Sequence, residues 1–199
     1  WFKLLALLLL LGLSMLGHSQ VQINLPDGVY LNYTDFKNQV PSFSFSALRN
    51  KLANSEVAEE IDLELKTLYF AKNGGLDSIL LKDIFGVVRN GNFHALFNYK
   101  DRSYFARTIR QGTLWQCATQ VIETFGAQGH YRTVSNQTLI QVVMRYDTGI
   151  LHILTPETLP GLIHDDTSLL EEYQNLSKKN KRKKLFQYLA RYNARHRIK

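Results

Sequence analysis

The 199 residues are 45% apolar and 21% charged, enough for one globular domain with its own core and too few for two full ones. Cys117 is the single cysteine, which excludes an intramolecular disulfide framework and leaves stability to packing. The net charge of +7 is unevenly placed: ten Lys or Arg and no acid lie between Lys178 and Lys199, whereas residues 20–177 carry 13 basic and 17 acidic side chains and are net negative.

Lys3 precedes an apolar run over residues 4–16, interrupted by Gly12 and Ser14, and Gly17-His18-Ser19-Gln20 follows with small residues where a signal peptidase reads. The pattern predicts a signal peptide over residues 1–19, a cut after Ser19, and an exported chain that is periplasmic or secreted. The run is shorter than the roughly 20 apolar residues that span a membrane. The next Lys is Lys37, so no basic stop-transfer cluster follows, and no transmembrane helix is expected in the mature chain.

In the stretch Gly28-Val-Tyr-Leu-Asn-Tyr-Thr-Asp-Phe36, Val29 and Leu31 alternate with Tyr30, which predicts a short strand over 28–32. Thr34-Asp35 then starts a turn of helix that Pro41 stops. Tyr30, Tyr33 and Phe36 recur every third residue and are expected to clasp this segment onto a sheet rather than line a pocket. Residues 43–58 are predicted helical, with Ser44 or Ser46 as N-cap, and 64–70 as a strand.

Asn90-Gly91 stands between two β-rich runs, 84–89 and 92–97, and predicts a hairpin with a type I′ turn. That register pairs Val88 with Phe93, Val87 with His94, Phe85 with Leu96 and Ile84 with Phe97, so both faces are apolar and must be covered. Residues 104–109 are expected to pair with 113–118 across Gln111-Gly112, and 139–146 with 150–154 across Asp147-Thr148-Gly149. The predicted fold is α+β: a mainly antiparallel curved sheet or partial barrel over 20–165, with a short N-terminal helix and a basic C-terminal helical element over 166–199.

Toward the end, Thr155-Pro156-Glu157 is expected to open a short helix and Asp165-Asp-Thr-Ser168 to cap a longer one. Leu169, Tyr173 and Leu176, then Leu185, Tyr188, Leu189 and Tyr192, form one helical stripe. Lys178-Lys-Asn-Lys-Arg-Lys-Lys184 interrupts it, either as a solvated turn between two helices or as a continuous charged stretch.

The segments Asp27-Gly-Val-Tyr-Leu-Asn-Tyr-Thr-Asp-Phe36 with Pro41-Ser42, Asp83-Ile-Phe-Gly-Val-Val-Arg-Asn-Gly91 and Tyr188-Leu-Ala-Arg-Tyr-Asn193 resemble an uncharacterised family of small exported proteins of the Bacteroidota. The resemblance implies a bacterial periplasmic or secreted setting and carries no site residues, since its motifs are apolar and turn patterns. In that setting Asp77-Ser78-Ile79 matches the short pattern of O-glycosylation.

Little in the sequence speaks for catalysis. His94, His130, His152, His164 and His196 form no HExxH or HxH and have no Cys partner for zinc, so no metal is expected. His94 and His152 sit in predicted strands, and His164-Asp165-Asp166 lies where a helix needs an acidic cap. Cys117 sits in a strand pattern, as a small apolar residue would, and no GxSxG elbow or phosphate-cradling Gly-rich loop occurs. Glu59-Glu60 and Glu171-Glu172 diverge by about 100° on helices and cannot share a substrate. No catalytic residue or cofactor is therefore expected. The candidate contact set is Lys178, Lys179, Lys181, Arg182, Lys183, Lys184, Arg191 and Arg195, facing an anionic envelope surface or a protein partner. Nucleic acid is not expected for an exported chain. The reading is a non-enzymatic exported envelope protein. A carrier using the sheet interior, and a hydrolase built on His164 or His94 with an Asp, are its rivals.

Overall fold

The computed structural model describes residues 22–49, 67–100, 102–126 and 133–198, with backbone alone over 122–126 and 133–136. The predicted leader, residues 50–58 of the predicted helix, Glu59-Glu60, His130 and the start of the strand expected at 64–70 lie outside the described residues.

The described chain is α+β. Its strands are β1 (Gly28–Tyr30), β2 (Leu48–Arg49), β3 (Thr67–Lys72), β4 (Gly75–Leu80), β5 (Gly86–Arg89), β6 (Asn92–Tyr99), β7 (Arg102–Arg110), β8 (Leu114–Gly126), β9 (Thr133–Arg145) and β10 (Leu151–Ile153). Helix α1 (Tyr33–Lys37) follows β1, and α2 (Leu159–Leu162), α3 (Thr167–Gln174) and α4 (Lys178–Arg195) end the chain. Seven strands form a curled antiparallel half-barrel in the order β1-β5-β6-β7-β8-β9-β10, and β2-β3-β4 form a small second sheet.

The Asn90-Gly91 hairpin forms as its sequence demands. Both residues have positive φ, 52° and 70°, the type I′ geometry, and the register runs Val88 to Phe93 and Val87 to His94. The Asp27 carboxylate accepts from the Asn90 and Gly91 amides, at 2.9 Å each, and so fastens the N-terminal segment to this turn. β8 and β9 run on to thirteen residues each, well past the predicted 118 and 139, with Gln120 and Gln137 bonded side chain to side chain at 2.9 Å on the exposed face.

The curl brings β1 and β9 together on the concave face, where Tyr30, Val88, Phe93, Ala95, Trp115, Met144 and Tyr146 form one buried cluster. α1 plugs it. The Phe36 ring lies 4.6 Å from Phe93, 5.2 Å from Phe85 and 5.4 Å from Trp115, centroid to centroid. Tyr33 donates to the Tyr146 carbonyl at 2.5 Å, and the Lys37 ammonium stands 3.8 Å over the Tyr146 ring. The expected clasp is thus formed by all three aromatic residues, Tyr30, Tyr33 and Phe36.

On the convex face, Val29, Val87 and Leu96 are covered by Leu48 and Leu68 of the small sheet and by Leu81. Leu114 and Val143 are covered by the C-terminal helices. Both faces of the hairpin are therefore buried, as its pattern requires.

Two predicted helices are corrected. In the segment 43–58, residues Phe45–Ala47 form a single 3-10 turn and Leu48–Arg49 a strand, because Leu48 pairs with Phe70 and the Phe43 ring stacks on Phe70 at 4.4 Å. Ser44 makes no side-chain cap bond. Tertiary strand pairing here overrides local helix signals. The helix expected at Thr155-Pro156-Glu157 starts later, at Leu159: the Thr155 hydroxyl accepts from the Glu157 and Thr158 amides at 3.2 Å each, closing a turn before the helix.

Candidate functional site

The predicted contact residues all lie on α4, and their positions follow from how that helix is seated. α3 starts at its Asp166 cap, whose carboxylate accepts from the Leu169 amide at 3.0 Å, and ends before Asn175. Ser177, in an extended conformation, caps α4 through a long 3.4 Å bond from the Asn180 amide. The Lys-rich run is thus a continuous charged stretch rather than a turn between two helices, and it is separate from α3. It forms the first two turns of α4.

Leu185, Tyr188, Leu189 and Tyr192 are buried against Leu114, Val143, Leu159, Leu162 and Ile163, so the apolar stripe is consumed by the fold. Beyond Leu185 the polar side chains are engaged as well. Asn193 is buried, accepts from the Leu114 amide and donates to the Leu114 carbonyl, both at 2.8 Å, in place of a strand partner. Glu172 accepts from both terminal nitrogens of Arg191 at 2.6 and 2.5 Å and from the Tyr188 hydroxyl at 2.8 Å. Those bonds, Arg191 first and then Tyr188, hold its carboxyl down to about 2.

Asp166 also accepts from Arg195, at 2.9 and 3.1 Å, and lies 3.2 Å from Nε2 of His196. Burial pushes the Asp166 carboxyl up, but the Leu169 amide, Arg195 and His196 together hold it below its ordinary value. The Tyr192 hydroxyl donates to Asp165 at 2.9 Å, and Thr113 donates to the His196 carbonyl. Arg191 and Arg195, two of the eight candidate residues, are therefore bound within the molecule.

The other six stand differently. Lys178, Lys179, Arg182, Lys183 and Lys184 are exposed; Lys181 is half-buried, its ammonium 5.8 Å from the Tyr173 ring. Glu157 feels the charges of Arg182 and Lys178, and its carboxyl is held under its ordinary value by its own amide, the Thr155 hydroxyl and then these two cations. The first turn of α4 contains no acidic residue. Cations at the positive end of a helix macrodipole are unfavourable by some tenths of a kcal/mol each.

The predicted chemistry of the histidines is not brought together. His94 packs beside Arg107 and Arg89, and burial followed by those two charges pushes its pKa down. Nδ1 of His164 lies 2.9 Å from the Gly161 carbonyl, while Asp165 and Asp166 turn to Tyr192, Arg195 and His196. The described contact between a histidine and a carboxylate, His196 with Asp166, was missed in sequence, where the two are 30 residues apart. Ser168 also meets that carboxylate, at 3.4 Å, so Asp166 stands between serine and histidine. A hydrolytic relay needs the histidine in the middle. Cys117 is fully buried and its thiol is pushed up to about 11 by burial, far from the thiolate a nucleophile needs.

A cleft of about 340 Å³ opens where Gln22 and Gln111 meet the turn at Gly91, over Phe93 and Thr108. Gln111 closes one side by bonding both the amide and the carbonyl of Ile23, at 2.6 and 3.0 Å. The described concave face is otherwise filled by its own aromatic rings.

These features define a class: an α+β half-barrel with an aromatic-filled concave face and a basic amphipathic helix seated on the convex one. Residues 28–196 match a family of unknown function (DUF6563), and the chain belongs to that family. Neither a curated protein nor a solved structure matches it. No helix among the described residues is long and apolar enough to cross a membrane.

Proposed function

We propose that the protein is an exported, non-catalytic interaction module of the bacterial envelope, and that the first two turns of α4 contact an anionic partner. One observation carries the reading. Lys178, Lys179, Arg182, Lys183 and Lys184 are exposed on a helix whose apolar stripe is already buried, and the first two stand in the turn where its dipole disfavours cations. Apart from the attraction of Glu157 to Arg182 and Lys178 the fold gains little from that placement, whereas it favours an anion outside the molecule. The apolar run at residues 4–16 with its small-residue cleavage pattern supports export. In this proposal residues 20–165 form the β-rich domain, and 166–199 form its basic interaction element.

The carrier reading finds less support, because Phe36, Phe93 and Trp115 fill the described interior. The hydrolase reading finds less as well, since Asp166 stands between Ser168 and His196.

The test is titration with soluble polyphosphate, using protein recovered from its own cells, whose intact mass is expected to show an N-terminus at Gln20. Binding is expected at low ionic strength, weakening as the Debye length shrinks from ~30 Å at 0.01 M salt to ~10 Å at 0.1 M. The triple variant Lys179→Glu, Lys183→Glu, Lys184→Glu should lose most of it with its fold intact. A wild-type protein that ignores polyphosphate at low salt overturns the reading.

A further inference from the structure

The structure assigns the outward stripe of α4 to docking on an anionic lipid surface, an inference that rests on the anionic-contact reading above. At roughly 100° per residue, Lys179, Lys183, Phe186 and Ala190 fall along one line of the helix, with Arg182 at its edge on the side of Leu189 and Glu157. That line points away from Leu185, Tyr188, Leu189 and Tyr192, which are buried. Lys179, Arg182 and Lys183 are exposed, and Phe186 is 45% exposed between them and the half-buried Ala190.

Phe186 distinguishes the kind of anion. It lies off the buried stripe and outside the buried cluster under α4, and free phosphate offers a phenyl ring nothing. A headgroup layer offers phosphates to the cations and an apolar boundary to a ring three residues past Lys183, the pairing found on interfacial amphipathic helices. The shape agrees. A small anion is held by donors that converge, whereas these cations project side by side from one helix over residues 179–183, about 6 Å along its axis, with Phe186 nearly a turn further on. That row fits an extended plane. Because the apolar stripe is committed to the domain, contact is expected at headgroup depth, reversible and salt-dependent.

The test is co-sedimentation of the protein freed of residues 1–19 with vesicles of phosphatidylglycerol and phosphatidylcholine in equal parts, against phosphatidylcholine alone and soluble polyphosphate. Sedimentation is expected with the anionic vesicles, weakening on the order of fivefold for each of Lys179, Arg182 and Lys183 changed to Ala. The fraction still bound at high salt should fall several-fold in Phe186→Ala, and Phe186→Trp should shift its emission to the blue on binding.

Binding to polyphosphate without binding to vesicles overturns the lipid assignment and leaves the anionic-contact reading standing. So does vesicle binding that is indifferent to Phe186→Ala with no emission shift in Phe186→Trp. Failure to bind either probe at low salt overturns both.

Discussion

Both halves of α4 carry cations, six over 178–186 and two over 187–195, and the two sets stand in opposite relations to the molecule. From Tyr188 to His196, nearly every polar side chain has an internal partner: Arg191 with Glu172, Tyr192 with Asp165, Asn193 with Leu114, Arg195 and His196 with Asp166. From Lys178 to Lys184, five cations face solvent, and the acid nearest them, Glu157, lies at one flank. The presence of cations does not by itself separate a helix segment that closes a fold from one that meets a partner. The separation comes from what stands opposite each charge, and here it changes at Leu185.

The largest effect is expected at Asn193. Changing it to Ala leaves the buried amide and carbonyl of Leu114 without partners, a loss of about 3 kcal/mol. In chemical denaturation the midpoint should fall with little change in slope. Gly112 reports on the same contact from the other side, since an added Cβ would stand 2.6 Å from the Asn193 carboxamide. Gly112→Ala is therefore destabilising alone, and the double variant should be less destabilised than the sum of the two. Additive losses would show that the added methyl at Gly112 does not act through Asn193, and an unchanged midpoint in Asn193→Ala that Asn193 does not hold α4 to β8.

Acid should act on the same half. Asp166 and Glu172 both have folded pKa values below the ordinary carboxylate range, Glu172 near 2. A group depressed in the folded state contributes stability above its unfolded pKa of about 4 and loses it as pH falls through the folded value. Stability should therefore drop between about pH 4.5 and about pH 2, with α3 and α4 losing hydrogen-exchange protection before β8 and β9. Asp166→Asn should flatten the pH dependence. A profile unchanged by that variant would show that these pairs do not bear on the seating of α4.

Legibility in the sequence divides along the same line. The Asn90-Gly91 hairpin and the stripe from Leu185 to Tyr192 were readable because turn chemistry and a 3.6-residue period are local properties. The helix expected at 43–58 does not form over residues 43–49, because Leu48 answers to Phe70 across the small sheet rather than to its neighbours. All eight candidate cations were visible by composition. Which of them face outward was not, because Glu172 and Asp166 lie 19 and 29 residues away from Arg191 and Arg195. Asn193 gave no signal, as its partner Leu114 is 79 positions distant. Phe186 did give one: it is an apolar residue off the buried stripe, and on a helix that must mean exposure.

The smallest effect is the most discriminating between the halves. Lys179 is the second residue of α4, exposed, at the positive end of the dipole, with no acid in that turn. Replacing it by Glu puts a favourable charge there and should raise stability by about 0.5–1 kcal/mol, a rise in Tm of about 1–4 °C for a chain of this size. Arg191→Gln, which removes the charged partner of Glu172, should lower Tm instead. Both variants delete a cation from the same helix, so a common effect of net charge would move them together. A gain in stability for Lys179→Glu coupled to a loss of polyphosphate binding would identify the cation as kept for the partner at the expense of the fold. If Lys179→Glu melts lower, the fold itself uses Lys179, and the division of α4 at Leu185 does not stand.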